Sequence, residues 1–365
     1  MVVPAIAQPV VPTAVPTPVP TAIPTAVPTA PVSSVTPVSP EAPAPHYATF
    51  AEWCRALPSL TPDQQVTVNT LLEVAETREC DRAAAVLEQR TELVINNAQS
   101  QAVVDLGPLG TLTNLQRIEF YWNASQVTDL SPLARLTNLT TLAIATDSTG
   151  QIRDLSPLRS LTRLQRLSLW GNTALSDLRP LADLTQLQQL DLSVNYAIQD
   201  ISPLANLTHL TNLALDLNQI SDLTALRNLT RLEYLNLGNN AISDLSPLAN
   251  LPNLTALTLD GNRISDLRPL SALANLRELS LADNQIVTVP PLPEGLTSLR
   301  LSNNQIVDVQ PLAELTSLEE LDLSHNQVQS VEALSSLGQL RYLGLIGNPI
   351  TQQQCPVAPE IICQF

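Results

Sequence analysis

The stretch Leu232-Glu233-Tyr234-Leu235-Asn236-Leu237-Gly238-Asn239-Asn240 decides the fold. Leu235 and Leu237 lie two apart, so on an extended strand they enter one core while their neighbours face the other way. With Leu232 three positions before and Asn240 three after, the frame is Leu-x-x-Leu-x-Leu-x-x-Asn. It recurs as Leu164, Leu167, Leu169 and Asn172, and as Leu318, Leu321, Leu323 and Asn326. The Asn column runs Asn123, Asn172, Asn195, Asn218, Asn240, Asn262, Asn284, Asn304, Asn326 and Asn348, with Asp147 filling one slot. That makes eleven turns, mostly 22 residues apart, with early turns of 23 to 25 and one of 20. A degenerate turn precedes them, with Leu93 and Ile95 in strand positions and Asp105-Leu106-Gly107-Pro108-Leu109 behind.

Each column has a physical role. The Asn sits where the chain bends, and its amide both donates and accepts, so a stack of such side chains satisfies main-chain groups that the bend leaves unpaired. A second motif follows, Asp-Leu-Ser-Pro-Leu at 129–133, 154–158 and 244–248, with Arg in place of Ser at 177–181 and 266–270. Ser as N-cap and Pro at the first helical position predict a short helical turn there. Asp222-Leu223-Thr224-Ala225-Leu226 lacks the Pro and is expected to start less sharply. One turn alone buries its leucines on nothing, whereas stacked turns share a continuous core.

These motifs resemble the leucine-rich-repeat family, in particular the 22-residue class of internalins and similar secreted bacterial proteins. The likeness covers about 250 residues and demands four fixed positions in nearly every turn. It implies an α/β fold: a right-handed solenoid with a parallel β-sheet on its concave face, a short helical or irregular convex side, and an N-terminal α-helical cap. The 20-residue turn, with Val289-Pro290-Pro291-Leu292-Pro293-Glu294-Gly295-Leu296, is similar to a shorter bacterial subclass and is expected to alter the local curvature.

The rest of the chain divides around this body into residues 1–45, 46–92, 93–348 and 349–365. Residues 1–45 carry Pro every two to four positions, which neither helix nor central strand tolerates, so a semi-rigid polyproline-like stalk is expected. Ala5-Ile6-Ala7 before Gln8 matches the end of a secretory signal, although the basic and apolar regions that precede such a site are missing. Residues 46–92 read as a helical cap. Thr49-Phe50-Ala51-Glu52 is a capping box, Thr61-Pro62-Asp63 a second start, and Asp81 the expected cap of a third helix. Residues 349–365 have the length of a closing flap.

The four Cys flank the repeats. Bridged Cα atoms lie within about 7 Å, while the ends of a dozen stacked strands are roughly 50 Å apart. If the solenoid is right, the pairs are Cys54 with Cys80 and Cys355 with Cys363. Such stapled ends resemble those of secreted repeat proteins and point to an oxidising compartment. Four free thiols in a cytosolic protein is the alternative.

Composition narrows the function. The chain has 34 acidic and 18 basic residues, a net charge of -16, and every basic residue is Arg. That balance argues against nucleic acid as a partner. No apolar run reaches transmembrane length. His46, His209 and His325 fall in separate turns, Gly residues occur singly, and Cys-x-x-Cys is absent, so no catalytic, metal or cofactor site is expected. The Asn-Leu-Thr triplets at 138–140 and 206–208 follow from the repeat consensus.

The informative surface is the outward-facing strand positions. Aromatic and Arg side chains are the usual anchors of interfaces, and only 3% of this chain is aromatic. Tyr121, Trp170 and Tyr234 with Arg117 and Arg166 are expected to form a patch towards the N-terminal half, bordered by Trp122 and Tyr196. Glu119, Asp191, Asp216 and Asn236 share the same face. The expectation is a non-catalytic, secreted, periplasmic or cell-surface bacterial protein, monomeric, that binds a protein or surface glycan on its concave side. An intracellular regulatory subunit of a phosphatase-type enzyme and a structural envelope component are the alternatives. No immunoglobulin-like segment or sorting signal follows the repeats, so generic protein binding is expected rather than host-cell adhesion.

Overall fold

The computed structural model describes residues 47–96, 103–121, 126–146, 148–351, 354–358 and 362–365. Residues 1–45, expected as a stalk, and Trp122, Asn123 and Asp147 lie outside the described residues.

Helix α1 (Phe50–Arg55) starts where its capping box places it. The Thr49 hydroxyl accepts the Glu52 N–H at 3.3 Å, and the Glu52 carboxylate accepts the Thr49 N–H at 3.2 Å. Helix α2 (Pro62–Val74) repeats the device with Thr61 and Gln64. The third start departs from expectation. Helix α3 (Cys80–Glu88) begins two residues earlier, with Glu79 in the cap position and no side-chain cap. Asp81 lies inside the first turn, where it ion-pairs with Arg55 of α1. The Cys54–Cys80 disulfide, with Cα atoms 5.5 Å apart, ties the same two helices.

Among the described residues thirteen strands form one parallel sheet in chain order. They are β1 (Glu92–Asn96), β2 (Arg117–Tyr121), β3 (Thr141–Ala145), β4 (Arg166–Ser168), β5 (Gln189–Asp191), β6 (Asn212–Ala214) and β7 (Tyr234–Asn236). Then follow β8 (Ala256–Thr258), β9 (Glu278–Ser280), β10 (Ser298–Arg300), β11 (Glu320–Asp322), β12 (Tyr342–Gly344) and β13 (Cys363–Gln364). The degenerate first turn supplies β1 as its leucine pattern predicts. The flap does more than close the end: held by Cys355–Cys363 at a Cα separation of 5.8 Å, it adds β13 alongside β12.

Behind the sheet most turns make a short 3-10 helix, and the capping residue differs from expectation. The Ser of Asp-Leu-Ser-Pro-Leu caps nothing; the Asp does. Asp129, Asp154 and Asp244 each accept the N–H two residues on, at 2.8 Å. This explains why Arg179 and Arg268 can replace Ser: the Asp177 and Asp266 bonds persist at 3.0 Å. It also corrects the expectation for Asp222, whose bond to the Thr224 N–H is 2.8 Å without any Pro. The 20-residue turn makes no 3-10 helix between β9 and β10, and instead buries Val289 and Leu292.

The core is a single stack. Within one turn Leu213, Leu215, Ile220, Leu226, Leu229 and Leu232 are all 0% exposed. Truncating such a Leu to Ala costs roughly 2 to 5 kcal/mol, from lost burial and the cavity left behind.

The Asn ladder holds the bends. Asn262 donates to the Leu237, Leu259 and Asp260 carbonyls at 3.0–3.2 Å and accepts the Ile242 N–H at 3.0 Å. Asn284, Asn304 and Asn326 repeat this set, each accepting an amide one turn back. Asn240 and Asn348 accept from Ile220 and Val328 in the same way. Asn172 accepts from Ile152 and Asn195 from Asn172. The residue before each ladder Asn takes a left-handed conformation, from Gly171 at φ 82° to Gly347 at φ 76°. Gly, Asn or Asp fill this column at 171, 239, 261, 283, 303 and 347, the residues that tolerate it best. Val194, Leu217 and His325 are the exceptions.

Candidate binding face

The strand registers lay equivalent side chains side by side. One outward row runs Arg117, Thr141, Arg166, Gln189, Asn212, Tyr234, and the next runs Glu119, Ala143, Ser168, Asp191, Ala214, Asn236. A third row, at the start of each bend, holds Tyr121, Ala145, Trp170, Ser193, Asp216, Gly238 and Asp260.

The N-terminal part of this face gathers most of the expected anchors. Arg117 donates to Glu119 at 2.8 Å and lies 3.9 Å from Glu92, and Glu119 is buried beneath it. Arg166 is exposed and has no ion-pair partner among the described residues. Tyr121 and Trp170 stand in one row on either side of Ala145, about 10 Å apart at normal strand spacing. Burial pushes the Tyr121 phenol up, Glu119 adds to the shift, and Arg117 and Arg166 oppose it, so the four side chains share one neighbourhood. Tyr196 is exposed beyond Asn195.

Tyr234 does not join them. It is on β7, roughly 14 Å from β4 by strand spacing, in a different setting. Burial pushes its phenol up, and the nearby Asp216 and Asp191 push it further. Asp191 accepts from the Ser168 hydroxyl at 3.2 Å and the Ser193 N–H at 3.1 Å. Asp216 accepts from the Asn236 amide at 2.8 Å, and its carboxyl is pushed up by burial. The single patch expected from sequence is therefore two: an Arg and aromatic cluster on β2–β4, and an acidic one with Tyr234 on β5–β7.

Asp260 extends the acidic cluster and was not singled out from the sequence. It accepts from the Ser280 hydroxyl at 2.7 Å and from the Ala282 N–H at 2.7 Å, and burial raises its pKa. Its signal was its column: Asp260 repeats the position of Asp216 two turns later. Among the described residues no group of three His, Cys, Asp or Glu side chains is arranged to hold a metal ion. No helix among them is long and apolar enough to cross a membrane.

Fold, ladder and face together define a leucine-rich-repeat solenoid. A family model for paired leucine-rich repeats matches in overlapping windows at residues 185–228, 208–250, 230–272, 252–294, 274–314, 294–336 and 316–354. Among solved structures, an internalin (InlF) of Listeria monocytogenes is 31% identical, covers 80% of this chain and is itself covered over 94%, with a TM-score of 0.65. A leucine-rich-repeat protein of Leptospira interrogans is 23% identical over 76% of this chain and 83% of its own, with a TM-score of 0.55. The functional domain of InlJ from Listeria monocytogenes, which includes a cysteine ladder, is 21% identical over 84% and 72%, with a TM-score of 0.52. No curated protein sequence matches the chain. The chain belongs to the leucine-rich-repeat family, in its internalin-like class.

Proposed function

We propose that this protein is a non-catalytic scaffold that binds a macromolecular partner on the outward face of its sheet. One observation carries the reading. Core and ladder positions repeat almost unchanged from turn to turn, while the outward positions beside them vary freely and include exposed Tyr121 and Tyr234. The surrounding stack fixes these side chains before a partner arrives, so little ordering entropy is lost on binding. Arg117, Glu119, Tyr121, Arg166 and Trp170 form the anchor of the site; Asp191, Asp216, Tyr234 and Asn236 line its continuation. Residues 46–92 and 349–365 act as stapled ends, and residues 1–45 as a stalk.

The two disulfides support an exported protein acting at a cell surface, in the periplasm or outside the cell, because such bonds persist in oxidising compartments. Thiol titration of unreduced protein checks this, and four reactive thiols would overturn it. The binding reading is tested by crosslinking and capture from the native source with wild type beside Trp170→Ala/Tyr121→Ala. Loss of a specific partner in the double variant is expected; equal recovery would remove the anchor from β2–β4.

A further inference from the structure

The middle of the sheet face carries acids that no ion pair among the described residues balances. Between Arg166 on β4 and Arg300 on β10, the outward positions hold Asp191, Asp216, Asp260 and Glu278 and no cation. Elsewhere on the face acids have Arg beside them, as Glu119 has Arg117 at 2.8 Å and Glu320 has Arg300 at 4.0 Å. Among the described residues none of the four central acids forms an ion pair. The hydrogen bonds to Asp191, Asp216 and Asp260 come from neutral hydroxyl, amide and main-chain donors. Half-buried carboxylates without an ion-pair partner are costly; burial raises the pKa of Asp216 and of Asp260, and Arg300 offsets this only in part at Asp260.

Residues 1–54 contain no Arg or Lys, so the Pro-rich segment brings no cation. A second copy would bring another net charge of -16. We propose that the β5–β9 face docks an extended cationic segment of another polypeptide, lying across the strands with basic side chains over Asp216 and Asp260. The Tyr234 ring, on the intervening strand β7 and near Asp216 and Asp191, meets the aliphatic stem or the cation of a basic side chain. Asp216 and Asp260 share a column two strands apart, about 10 Å, close to the roughly 9 Å between residues i and i+3 on one face of a polyproline-II-like segment, which has three residues per turn and rises about 3.1 Å per residue. Basic residues at positions i and i+3 therefore fit. The inference rests on the reading that the sheet face is where a partner binds.

The test is fluorescence anisotropy with a labelled, end-blocked eight-residue Ser peptide carrying two Lys three positions apart, and its counterpart with Gln for Lys. Both are titrated with wild type, with Asp216→Asn/Asp260→Asn, and with Glu73→Gln/Glu79→Gln, which removes the same charge from the helical cap. Asn keeps the acceptors that Asn236 and Ser280 use, and circular dichroism checks the fold. Wild type and the cap variant should bind the Lys peptide alike, while the face variant and the Gln peptide each lose about tenfold. Equal loss in the cap and face variants would reduce the effect to net charge and overturn the proposal. So would an unchanged face variant. If capture of the native partner still depends on Trp170 and Tyr121 while the Lys peptide shows no preference, this inference falls and the binding-face reading stands. If the Lys peptide binds as expected and capture ignores those residues, the anchor on β2–β4 falls instead.

Discussion

Two neighbouring stretches of the ladder carry the same Asn and fare differently. At Asn240 every polar atom is used, with the Ile220 N–H reaching its side-chain oxygen at 2.9 Å. At Asn218 the amide nitrogen donates to the Leu192, Leu215 and Asp216 carbonyls, yet Oδ1 is buried without a partner. The cause lies one turn back. Asn195-Tyr196-Ala197-Ile198 has one residue more than Asn218-Gln219-Ile220, and the extra residue carries the Ile198 amide away from the place its counterparts occupy. Among the described residues this turn alone also puts the residue after its ladder Asn, Tyr196, in the left-handed region at φ 59°, beside Val194 at φ 60° in the position common to the other turns. The extra residue decides which amide is on offer: in the equally long Asn172–Asn195 turn the Asn172 N–H takes the place and Asn195 Oδ1 is paired at 3.0 Å, whereas Asn218 Oδ1 is left alone.

The largest way to sharpen this contrast is to remove the amide from each kind of turn. Asn284→Ala strips four partners, the Leu259, Leu281 and Ala282 carbonyls and the Ile264 N–H. It should cost on the order of 3 to 5 kcal/mol in a denaturant titration. Asn218→Ala leaves one acceptor fewer to lose and should cost about 1 kcal/mol less. Equal losses would show that the orphaned oxygen is of no account.

A smaller effect, of opposite sign to most deletions, is expected for removal of Ala197. Restoring the 22-residue spacing brings the Ile198 N–H back to Asn218 and relaxes Tyr196, a gain of about 1 kcal/mol seen as a higher midpoint. A drop would break the argument from turn length.

The smallest effects are titrations, and they set the convex side against the sheet face. Arg179 and Arg268 hold the Asp177 and Asp266 carboxyls down to about 2, chiefly through their hydrogen bonds. Stability from these pairs is present above the ordinary carboxylate pKa and is lost as pH falls towards 2. Arg179→Ala should raise the Asp177 pKa in an NMR titration while leaving it below the usual carboxylate range, because the main-chain N–H of residue 179 still donates to it. Asp216 runs the other way: its folded pKa is raised, so its contribution is favourable in acid and is lost as pH rises. Asp216→Asn should therefore raise the thermal midpoint at pH 7 and leave it unchanged at pH 3. A midpoint lowered at pH 7 would mean that the carboxylate already has a counter-charge.

Much of this was legible beforehand because a repeat exposes its rules many times over. Leu pairs two apart, an Asn three later and a period near 22 leave one way to bury the apolar side chains, and Cys at the two ends can reach only their near neighbours. The helix starts at Thr49 and Thr61 were equally local, since a cap needs a partner only three residues away. Reading failed at the convex turns, where the string Asp-Leu-Ser-Pro suggested Ser131 as the cap, whereas Asp129 accepts the Ser131 N–H and Ser131 is itself the first residue of the helical turn.

What the sequence determined by itself was the solenoid, its core and the set of side chains facing outward, because periodicity assigns every residue to an inside or an outside. Tertiary structure alone decided which outward residues stand together. Strand order and register put Tyr121, Arg166 and Trp170 on β2–β4 and gave Tyr234 to Asp191 and Asp216. Distance across a sheet is counted in strands, and charge balance depends on what lies beside a residue in space, which a linear pattern does not state.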